Sequence, residues 1–402
     1  MNIVLYSNTI LPNLGGRELV VHYIAKSLTE LGHKVRVISP SGIWRYRNID
    51  MGYKVHRYFA IVRGGRIVDQ DFKAEIREKT MRAQLSFDVA FWGADIIHAH
   101  ATYPGGYIAA QIKRKGNRIP LVITPHGVDI HTIPEINHGM RLHPKMNPKI
   151  EFALEKADAL TSIAEGIENS ILDAGTPKEK IYSVPNGVDV NRFSRTHTIN
   201  VWDWLKVPPN TQLVVSVGNY HPRKGQDVLV RSFPEVLAKN ENARLVIIGN
   251  KTEILHDLVK ELGIEGKAII VGGIPFPIGV EAEKNDVLAA IYANSSVYVS
   301  AGIDEGSEGL SLALLEAMAA SLPVIGTNIS GNRDIIEDGV NGYLVKPADT
   351  LELSDKIIRI LSDTEASKKM AKESFSVANK YHWHDVAREY IKVYEKVLQD
   401  RQ

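Results

Sequence analysis

Residues 296–328 read SVYVSAGIDEGSEGLSLALLEAMAASLPVIGTN, and this stretch predicts a strand, a loop, a helix and a second strand. β-branched and other apolar residues fill both strand segments, whereas residues 309–322 contain a single ionisable side chain, Glu316. A helix that is apolar on all sides is buried. Two apolar strands joined through such a helix predict a parallel β-sheet with helices on both faces.

The same alternation of apolar strands and amphipathic helices extends along the whole chain, from NIVLYS (2–7) to GYLV (342–345). It restarts at QLVVSVG (212–218), after a segment rich in turn dipeptides that reads as a linker. We therefore predict an α/β protein with two Rossmann-like doubly wound domains that face a central cleft. The predicted domains are residues 1–190 and 191–383, and the amphipathic C-terminal helix, 384–402, is expected to pack back on the first domain.

Composition excludes several classes of protein. The 402 residues are 44% hydrophobic and 24% charged, as in globular domains, and the net charge of +1 argues against a nucleic-acid partner. The absence of cysteine excludes disulfides and thiolate metal sites. No apolar run reaches the ~18 residues of a membrane span, and the N-terminus reads as a core strand rather than a secretory signal. We expect a cytoplasmic protein.

The stretch 44–82 carries a local excess of positive charge, with ten basic and five acidic residues. Aromatic residues are interleaved with it: Trp44, Tyr46, Tyr53, Tyr58 and Phe59. One interpretation is a solvated basic face. The other is a surface for an anionic acceptor or for lipid headgroups at the inner face of the membrane. Peripheral membrane contact through 44–82 is therefore one of two open hypotheses.

The lone carboxylate of Glu316 needs a partner, because a buried unpaired charge is costly. A ribose with two vicinal hydroxyls is a suitable one, and the alternative is a core Lys or Arg. The helix start at Gly309–Leu312 directs N–H groups and a positive dipole end outward, which suits a diphosphate. Glu308, on the preceding loop, is placed to bond sugar hydroxyls, unless it is simply solvated.

Three further segments follow strands. HPRKG places Arg223 and Lys224 at a helix N-terminus, which indicates anion binding or a solvated basic turn. Gly15 and Gly16 permit positive φ and close approach to a phosphate, although a plain turn explains them equally well. His126 follows PLVIT; a histidine there can donate a hydrogen bond to a hydroxyl, and the alternative is a capping or core histidine. The chain has no dinucleotide or P-loop fingerprint, and the histidines around 98–131 lack the ligand spacing of a metal site.

The segment EGLSLALLEAMAASLPVIGT resembles the two-glutamate signature of the retaining glycosyltransferases of family 4, in which seven residues separate the glutamates. Counting eight positions from Glu305 gives Ala313, whereas counting from Glu308 gives Glu316, so Glu308 is the match. The resemblance implies that Glu308 contacts the donor sugar and Glu316 the nucleotide ribose. It also implies backbone contacts to sugar and phosphate from Gly309, Leu310, Ser311 and Leu312, where Ser311 replaces the usual glycine.

The resemblance covers most of the chain. VGNYHPRKGQDVLVRSF (217–233) is similar to the segment that grips the donor diphosphate, and Lys224 matches the lysine before its glycine. Asn219 stands where the family has an arginine, so Arg223 or His221 is expected to supply that charge. The Gly15–Gly16 loop would lie over the donor phosphates and His126 against the donor sugar.

The resemblance implies a GT-B fold and retaining transfer of a hexosyl group in glycan biosynthesis, without a metal or another cofactor. The donor would be a UDP-, GDP- or ADP-linked sugar, and the acceptor a sugar, a lipid or a small molecule. The expected catalytic residues are His126, Glu308, Lys224 and Arg223. Two alternatives stay open: a non-catalytic nucleotide-sugar-binding partner of another transferase, and a sugar-nucleotide epimerase.

Overall fold

The structure is a computed structural model that describes residues 1–40, 50–58, 72–114, 118–134, 137–278, 284–305 and 309–400. The chain divides into two compact units, one formed by residues 1–185 with 383–402 and the other by residues 186–382. Each unit contains one parallel sheet with helices packed against it. Among the described residues, no helix is both long and apolar enough to cross a lipid bilayer.

The first unit holds a sheet in the order β3-β2-β1-β4-β5-β6-β7, and the second a sheet in the order β10-β9-β8-β11-β12-β13, with every neighbouring pair parallel. This confirms the predicted pair of doubly wound sheets. The strands are β1 Asn2–Ser7, β2 Lys34–Ser39, β3 Lys54–Arg57, β4 Ile96–His100, β5 Leu121–Thr124, β6 Ala159–Ser162, β7 Ile181–Ser183, β8 Gln212–Val217, β9 Ala243–Ile248, β10 Ala268–Val271, β11 Val297–Ser300, β12 Val324–Thr327 and β13 Gly342–Val345.

The helices are numbered here along the described chain. They are α1 Gly16–Glu30, α2 Phe72–Trp92, α3 Tyr107–Arg114, α4 Asn147–Lys156, α5 Glu165–Asp173, α6 Val190–Ser194, α7 Val201–Leu205, α8 Gln226–Lys239, α9 His256–Glu261, α10 Val287–Ala293, α11 Leu312–Ala319, α12 Thr350–Ser362, α13 Thr364–Ala378 and α14 Trp383–Gln399.

The C-terminal helix α14 is part of the first unit because its apolar stripe is buried there. Trp383 stacks on Tyr23 of α1 with ring centroids 5.3 Å apart and an interplanar angle of 6°. The hydroxyl of Tyr394, which is fully buried, lies 2.7 Å from Nδ1 of His98 on β4. The helix thus covers α1 and also reaches the polar side chains at the end of β4.

In the second unit, two glycines let neighbouring loops pack backbone against backbone at the carboxyl ends of the strands. Gly225, after β8, has φ +60°, and a Cβ there would lie 1.9 Å from the carbonyl oxygen of Ala301, after β11. Gly331, after β12, has φ +85°, and its Cβ would lie 2.2 Å from the carbonyl oxygen of Gly309. Any side chain at either position would separate the loops.

We predict that Gly225→Ala destabilises the second unit more than Gly263→Ala does. Gly263 has φ +64° but no atom within 4 Å of its added Cβ, so it measures only the left-handed backbone, about 1–2 kcal/mol. Gly225→Ala adds the clash with Ala301 and should lower the free energy of unfolding further, as measured by urea denaturation. Equal losses for the two variants would show that the loop contact is dispensable.

Candidate functional site

The order of the second sheet reverses between β8 and β11, and ligands of doubly wound sheets bind at such a reversal. The predicted donor-binding residues lie on the two loops that start there. Asn219, Arg223 and Lys224 follow β8, whereas Gly309–Leu312 follow β11 and lead into α11. The structure therefore brings these two sequence-distant groups onto adjacent loops.

The loop after β11 is held by two acidic residues that precede the predicted sugar contact. Asp304 Oδ2 lies 3.3 Å from Nε of Arg223. Glu305 forms two bonds of 3.0 Å with the Arg333 guanidinium and accepts a 2.9 Å bond from the amide of Ser330. These interactions hold the pKa of Glu305 below its usual value. Glu308 lies outside the described residues, so its contact with a donor sugar stays a prediction.

Arg223 is buried rather than displayed on the surface of its turn. Its guanidinium faces Asp304, and its carbonyl oxygen accepts a 3.0 Å bond from the amide of Ile303. Part of its charge is therefore balanced within the protein, and its proposed action on a phosphate remains a prediction. Lys224 ends the 3₁₀ turn Pro222–Lys224 one residue before Gly225 and is half-buried.

Asn219, at the position of the family's arginine, joins two loops. Its Oδ1 accepts bonds from the backbone amide and the side-chain amide of Asn250, at 2.9 and 3.0 Å. Lys251, the residue after Asn250, is exposed and has φ +65°. Its position in the loop after β9 adds a third cation near the turn, and sequence reasoning missed it because it follows a strand that carries no recognisable motif.

The pKa of His221 reflects its burial and the charges around this turn. Burial, followed by the charges of Arg223 and Lys224, lowers the pKa of His221 below its usual value. Lys251 acts in the same direction, whereas Asp304 opposes them. A neutral His221 leaves the positive charge of this edge to the arginine and the lysines, so His221 is a poor replacement for the missing arginine near pH 7.

Glu316, on α11, is 7% exposed and lies between fully buried apolar residues. Its described hydrogen-bond donor is the Tyr292 hydroxyl, 3.3 Å from Oε2. Burial raises the pKa of Glu316, while Arg192 and the tyrosine bond oppose that shift. Because a carboxylate accepts up to about four hydrogen bonds, Glu316 retains acceptor capacity.

The alternative partner for Glu316, a core cation, is present but engaged elsewhere. Arg192 binds Asp286 through two bonds of 2.6 and 3.1 Å. Asp286 in turn accepts a bond from the amide of Ala289 and begins α10, the helix that carries Tyr292. The arginine therefore orders the helix beside Glu316 and influences its carboxylate only through space.

At the start of α11, the backbone of the predicted phosphate contacts is fixed from two sides. Asn186 Nδ2 donates a 2.7 Å bond to the carbonyl oxygen of Leu310, and Gly331 packs against the carbonyl oxygen of Gly309. Ser311 is the N-cap residue of α11 and has an extended backbone. The geometry suits a rigid helix start, and the contacts of Gly309, Leu310, Ser311 and Leu312 with a donor remain predictions.

In the first unit, Gly15 and Gly16 permit a positive φ, but neither residue adopts one. Gly15 has φ −163°, which is extended backbone, and Gly16 is the first residue of α1. What Gly15 provides is space, since its Cβ would lie 2.4 Å from Oε2 of Glu18. Arg17 Nη2 bonds Thr9 Oγ1 at 2.8 Å and Glu18 Oε1 at 3.1 Å. Glu18 therefore lies in the first turn of α1 beside the Gly15–Gly16 loop, and the contact of that loop with donor phosphates stays a prediction.

His126 follows β5 and is half-buried. Its Nε2 lies 3.1 Å from Nδ1 of His100, and its amide donates a 2.9 Å bond to Asp129. Burial and the charge of Arg17 lower the pKa of His126 to about 3, so the imidazole is neutral near pH 7. A neutral imidazole donates through one nitrogen and accepts through the other.

The remaining histidines of this region form hydrogen bonds and ring contacts. The His98 and His100 rings lie 4.3 Å apart, and those of His100 and His126 lie 5.4 Å apart. His131 Nδ1 lies 2.7 Å from Ser170 Oγ. Within the described ranges, no group of three or more His, Cys, Asp or Glu side chains is arranged to hold a metal ion.

The structure corrects part of the surface assigned to 44–82. The Tyr53 hydroxyl lies 3.0 Å from His22, the Tyr58 hydroxyl bonds Asp88, and both tyrosines face into the first unit. Arg57 likewise donates a bond to the carbonyl oxygen of Leu11. The other three aromatic residues of that set, Trp44, Tyr46 and Phe59, lie outside the described residues.

A pair of exposed aromatic residues lies just beyond this stretch, near the end of α2. Phe87 and Phe91 are 66% and 78% exposed, and their rings stack with centroids 5.6 Å apart. Their spacing of four residues places them on one helix face. That spacing is the signal in the sequence, but two apolar residues four apart on a helix are equally typical of a buried face.

Two family models match the chain, one to each half. "Glycosyltransferase Family 4" matches residues 14–192, and "Glycosyl transferases group 1" matches residues 204–377. The N-acetyl-alpha-D-glucosaminyl L-malate synthase of Bacillus anthracis is 25% identical over 400 residues, which is 98% of this chain and 97% of the relative. The GDP-mannose-dependent alpha-(1-6)-phosphatidylinositol monomannoside mannosyltransferase of Mycolicibacterium smegmatis is 23% identical, covering 92% of this chain and 91% of the relative.

Solved structures share the fold at lower identity. Sucrose-phosphate synthase from Thermosynechococcus elongatus superposes with a TM-score of 0.79 at 19% identity, covering 99% of each chain. Anabaena HepE in complex with UDP-glucose superposes with a TM-score of 0.75 at 17% identity, again covering 99% of each chain. The two-unit arrangement of parallel sheets is therefore common to this chain and to these proteins.

Burial raises the pKa of Glu316 in the folded protein above the value of about 4.3 that a glutamate has in the unfolded chain. The contribution of this carboxyl group to stability is therefore complete only below about pH 4.3. That contribution is lost as pH rises through the raised folded value. We predict that Glu316→Gln unfolds at a higher temperature than the wild type at pH 7, with the difference vanishing near pH 4. Thermal unfolding across this pH range measures it.

Glu305→Gln is the matched control, because the pKa of Glu305 is lowered by Arg333 and the carboxylate stabilises the fold above its unfolded pKa. This variant should unfold at a lower temperature than the wild type at pH 7, and the difference should shrink as pH falls. A Glu316→Gln protein that also loses stability at pH 7 would show that the buried carboxylate already has its full set of partners.

Proposed function

We propose that this chain, which belongs to the group 1 glycosyltransferases of the family 4 type and has the GT-B fold, transfers a hexosyl group from a nucleotide-diphosphate sugar with retention of configuration. The acceptor is a sugar, a lipid or a small molecule. The observation that carries the proposal is Glu316, a buried carboxylate with spare acceptor capacity on the helix that follows β11, one of the two strands at the reversal of the second sheet. Two ribose hydroxyls would use that capacity.

Similar proteins support a nucleotide-linked donor. HepE has been solved with UDP and with UDP-glucose, and the Mycolicibacterium smegmatis relative is described as GDP-mannose-dependent. UDP-, GDP- and ADP-linked sugars therefore all belong in a test of this chain. The nucleotide base has no recognisable sequence signature in this chain.

In this proposal, the second unit stabilises the departing nucleoside diphosphate without a metal or another cofactor. Negative charge grows on the β-phosphate as the sugar–oxygen bond breaks. Lys224 and Lys251, with the N–H groups at the start of α11, would hold that charge in a preorganised setting. Glu308 would bond the donor sugar, as the two-glutamate signature implies, and Arg223 would act from its place beside Asp304.

Turnover assays separate this proposal from its two alternatives. The wild type, incubated with each nucleotide hexose and a panel of acceptors, should release nucleoside diphosphate and form a glycoside. Proton NMR of the anomeric signal then reports retention. A non-catalytic binding partner would bind the donor without consuming it, and an epimerase would return an isomerised sugar nucleotide.

We predict that Glu316→Gln weakens binding of the preferred nucleoside diphosphate by about 10- to 100-fold in calorimetry, because the ribose loses a charged acceptor worth roughly 1.5–3 kcal/mol. Glu365→Gln should leave the affinity nearly unchanged, since that carboxylate is exposed on α13 and pairs with Lys368. Unchanged affinity in folded Glu316→Gln would remove the ribose assignment and, with it, the main support for the proposal.

We also propose that the first unit touches anionic membranes at the end of α2, close to the basic stretch 44–82. The exposed, stacked Phe87 and Phe91 are suited to the interfacial region of a bilayer, and the net positive charge of 44–82 is complementary to anionic headgroups. A lipid in such a membrane would then be the acceptor.

The wild type should sediment with phosphatidylserine-containing vesicles at low salt and dissociate near ~0.5 M salt, where the Debye length falls to a few ångströms. Phe87→Ser with Phe91→Ser should reduce binding severalfold at low salt. Ile254→Ser with Leu351→Ser, which removes two exposed apolar side chains of the second unit, is the matched control and should have no effect. Full vesicle binding by the double phenylalanine variant would contradict the proposal.

A further inference from the structure

Three histidines form a row at the carboxyl ends of β4 and β5. His98 and His100 alternate with Ala99 on β4, so their side chains share a face, and both are fully buried. His98 is fixed by Tyr394 on one nitrogen and by Thr124 on the other, each at 2.7 Å. Its ring packs 4.3 Å from that of His100, which restricts the orientation of His100.

The two nitrogens of His100 lie in different surroundings. Nδ1 is 3.1 Å from Nε2 of His126. Nε2 is buried and has no hydrogen-bond partner among the residues that the structure describes. A neutral imidazole carries one N–H, and orphaned buried N–H groups are rarer than orphaned acceptors. The proton of His100 therefore lies on Nδ1 and is donated to His126.

We propose that His100 is a positioning residue that holds His126 in its Nδ1–H tautomer, so that His126 donates a hydrogen bond from Nδ1 to an oxygen of the substrate. The bond from His100 occupies Nε2 of His126 as an acceptor, which leaves the His126 proton on Nδ1. This inference rests on the proposed function for its substrate, but the tautomer itself is a property of the free protein.

The charges around the pair favour two neutral rings. Burial disfavours protonation of both His100 and His126, and the charge of Arg17, at the start of α1, acts in the same direction. Asp129 faces the pair from the loop after β5, but its oxygens accept backbone bonds from His126 and Thr102 at 2.9 and 2.6 Å. His126 therefore acts as a neutral donor and not as an imidazolium acid near pH 7.

A long-range ¹H–¹⁵N correlation spectrum of the full chain labelled with ¹⁵N-histidine reads the tautomer directly. His126→Gln identifies the signals of His126 by their loss. We expect the His126 Nδ1 signal at the shift of a protonated nitrogen and the Nε2 signal at that of a bare one. A wild-type His126 protonated on Nε2 would overturn the proposal, whether or not the chain transfers a sugar.

Two variants of His100 test the consequence for catalysis. His100→Asn keeps an N–H donor close to the position of Nδ1, whereas His100→Leu removes it at similar volume. His100→Leu should populate both tautomers of His126 and lower kcat about tenfold or more with little change in donor KM. His100→Asn should retain the wild-type tautomer and most of kcat.

Thermal unfolding checks that both His100 variants are folded. If His100→Leu unfolds, the wild-type spectrum and the kcat of His100→Asn still test the inference. A folded His100→Leu with wild-type kcat and an unchanged His126 tautomer would overturn it. If the wild type turns over no donor while His126 shows the Nδ1–H tautomer, the proposed function fails and the positioning by His100 stands.

Discussion

The reversal of strand order between β8 and β11 is the constraint on which the rest of the second unit depends. Crossovers between parallel strands are right-handed, so the connections that leave β8 and β11 pass to opposite faces of the sheet. Their loops then have to meet at the reversal point without a helix between them. Gly225 makes this contact possible because it brings its backbone against Ala301. The positions of Lys224 and of the α11 start both follow from it.

The charges on these loops fall into two classes. Asp304 and Glu305 are paired with Arg223 and Arg333 from neighbouring loops, and they fasten the loop after β11 on both sides. Glu316 differs, because the nearby arginine is committed to another acid. A folded protein gains little by burying a carboxylate in this state. A ligand that supplies hydroxyl donors would occupy the remaining acceptor positions of this carboxylate.

The candidate site residues of the first unit are centred on neutral histidines, whereas those of the second unit include charged side chains. In the row from His98 to His126, the hydroxyls of Tyr394 and Thr124 hold His98, and burial lowers the pKa of all three rings, with Arg17 adding to the effect at His100 and His126. C-terminal helix α14 contributes to this row through Tyr394, although it is separated from β4 by the whole second unit along the chain. The order of the histidine side chains thus depends on the last helix of the protein.

The fold class and the region of the site follow from the sequence alone. Apolar runs separated by amphipathic helices specify parallel sheets, and polar residues directly after those runs must lie at one edge. Glu316 and the turn around Lys224 were found in this way. The sequence could not predict the conformation of Gly15, because glycine allows a positive φ but does not require one. Nor could it show that Tyr53 and Tyr58 face inward, since their partners lie on other elements.

The pairing of charged and polar groups, by contrast, is visible only in the folded chain. Arg223 with Asp304, Arg192 with Asp286 and His100 with His126 each join segments that are remote in the chain. Periodicity reports which face of an element is buried but not which side chain of another element it meets there. Charge balance, hydrogen-bond capacity and the tautomer of a buried histidine depend on the partner side chain. That partner is brought into contact when loops from separate strands meet at one edge of a sheet.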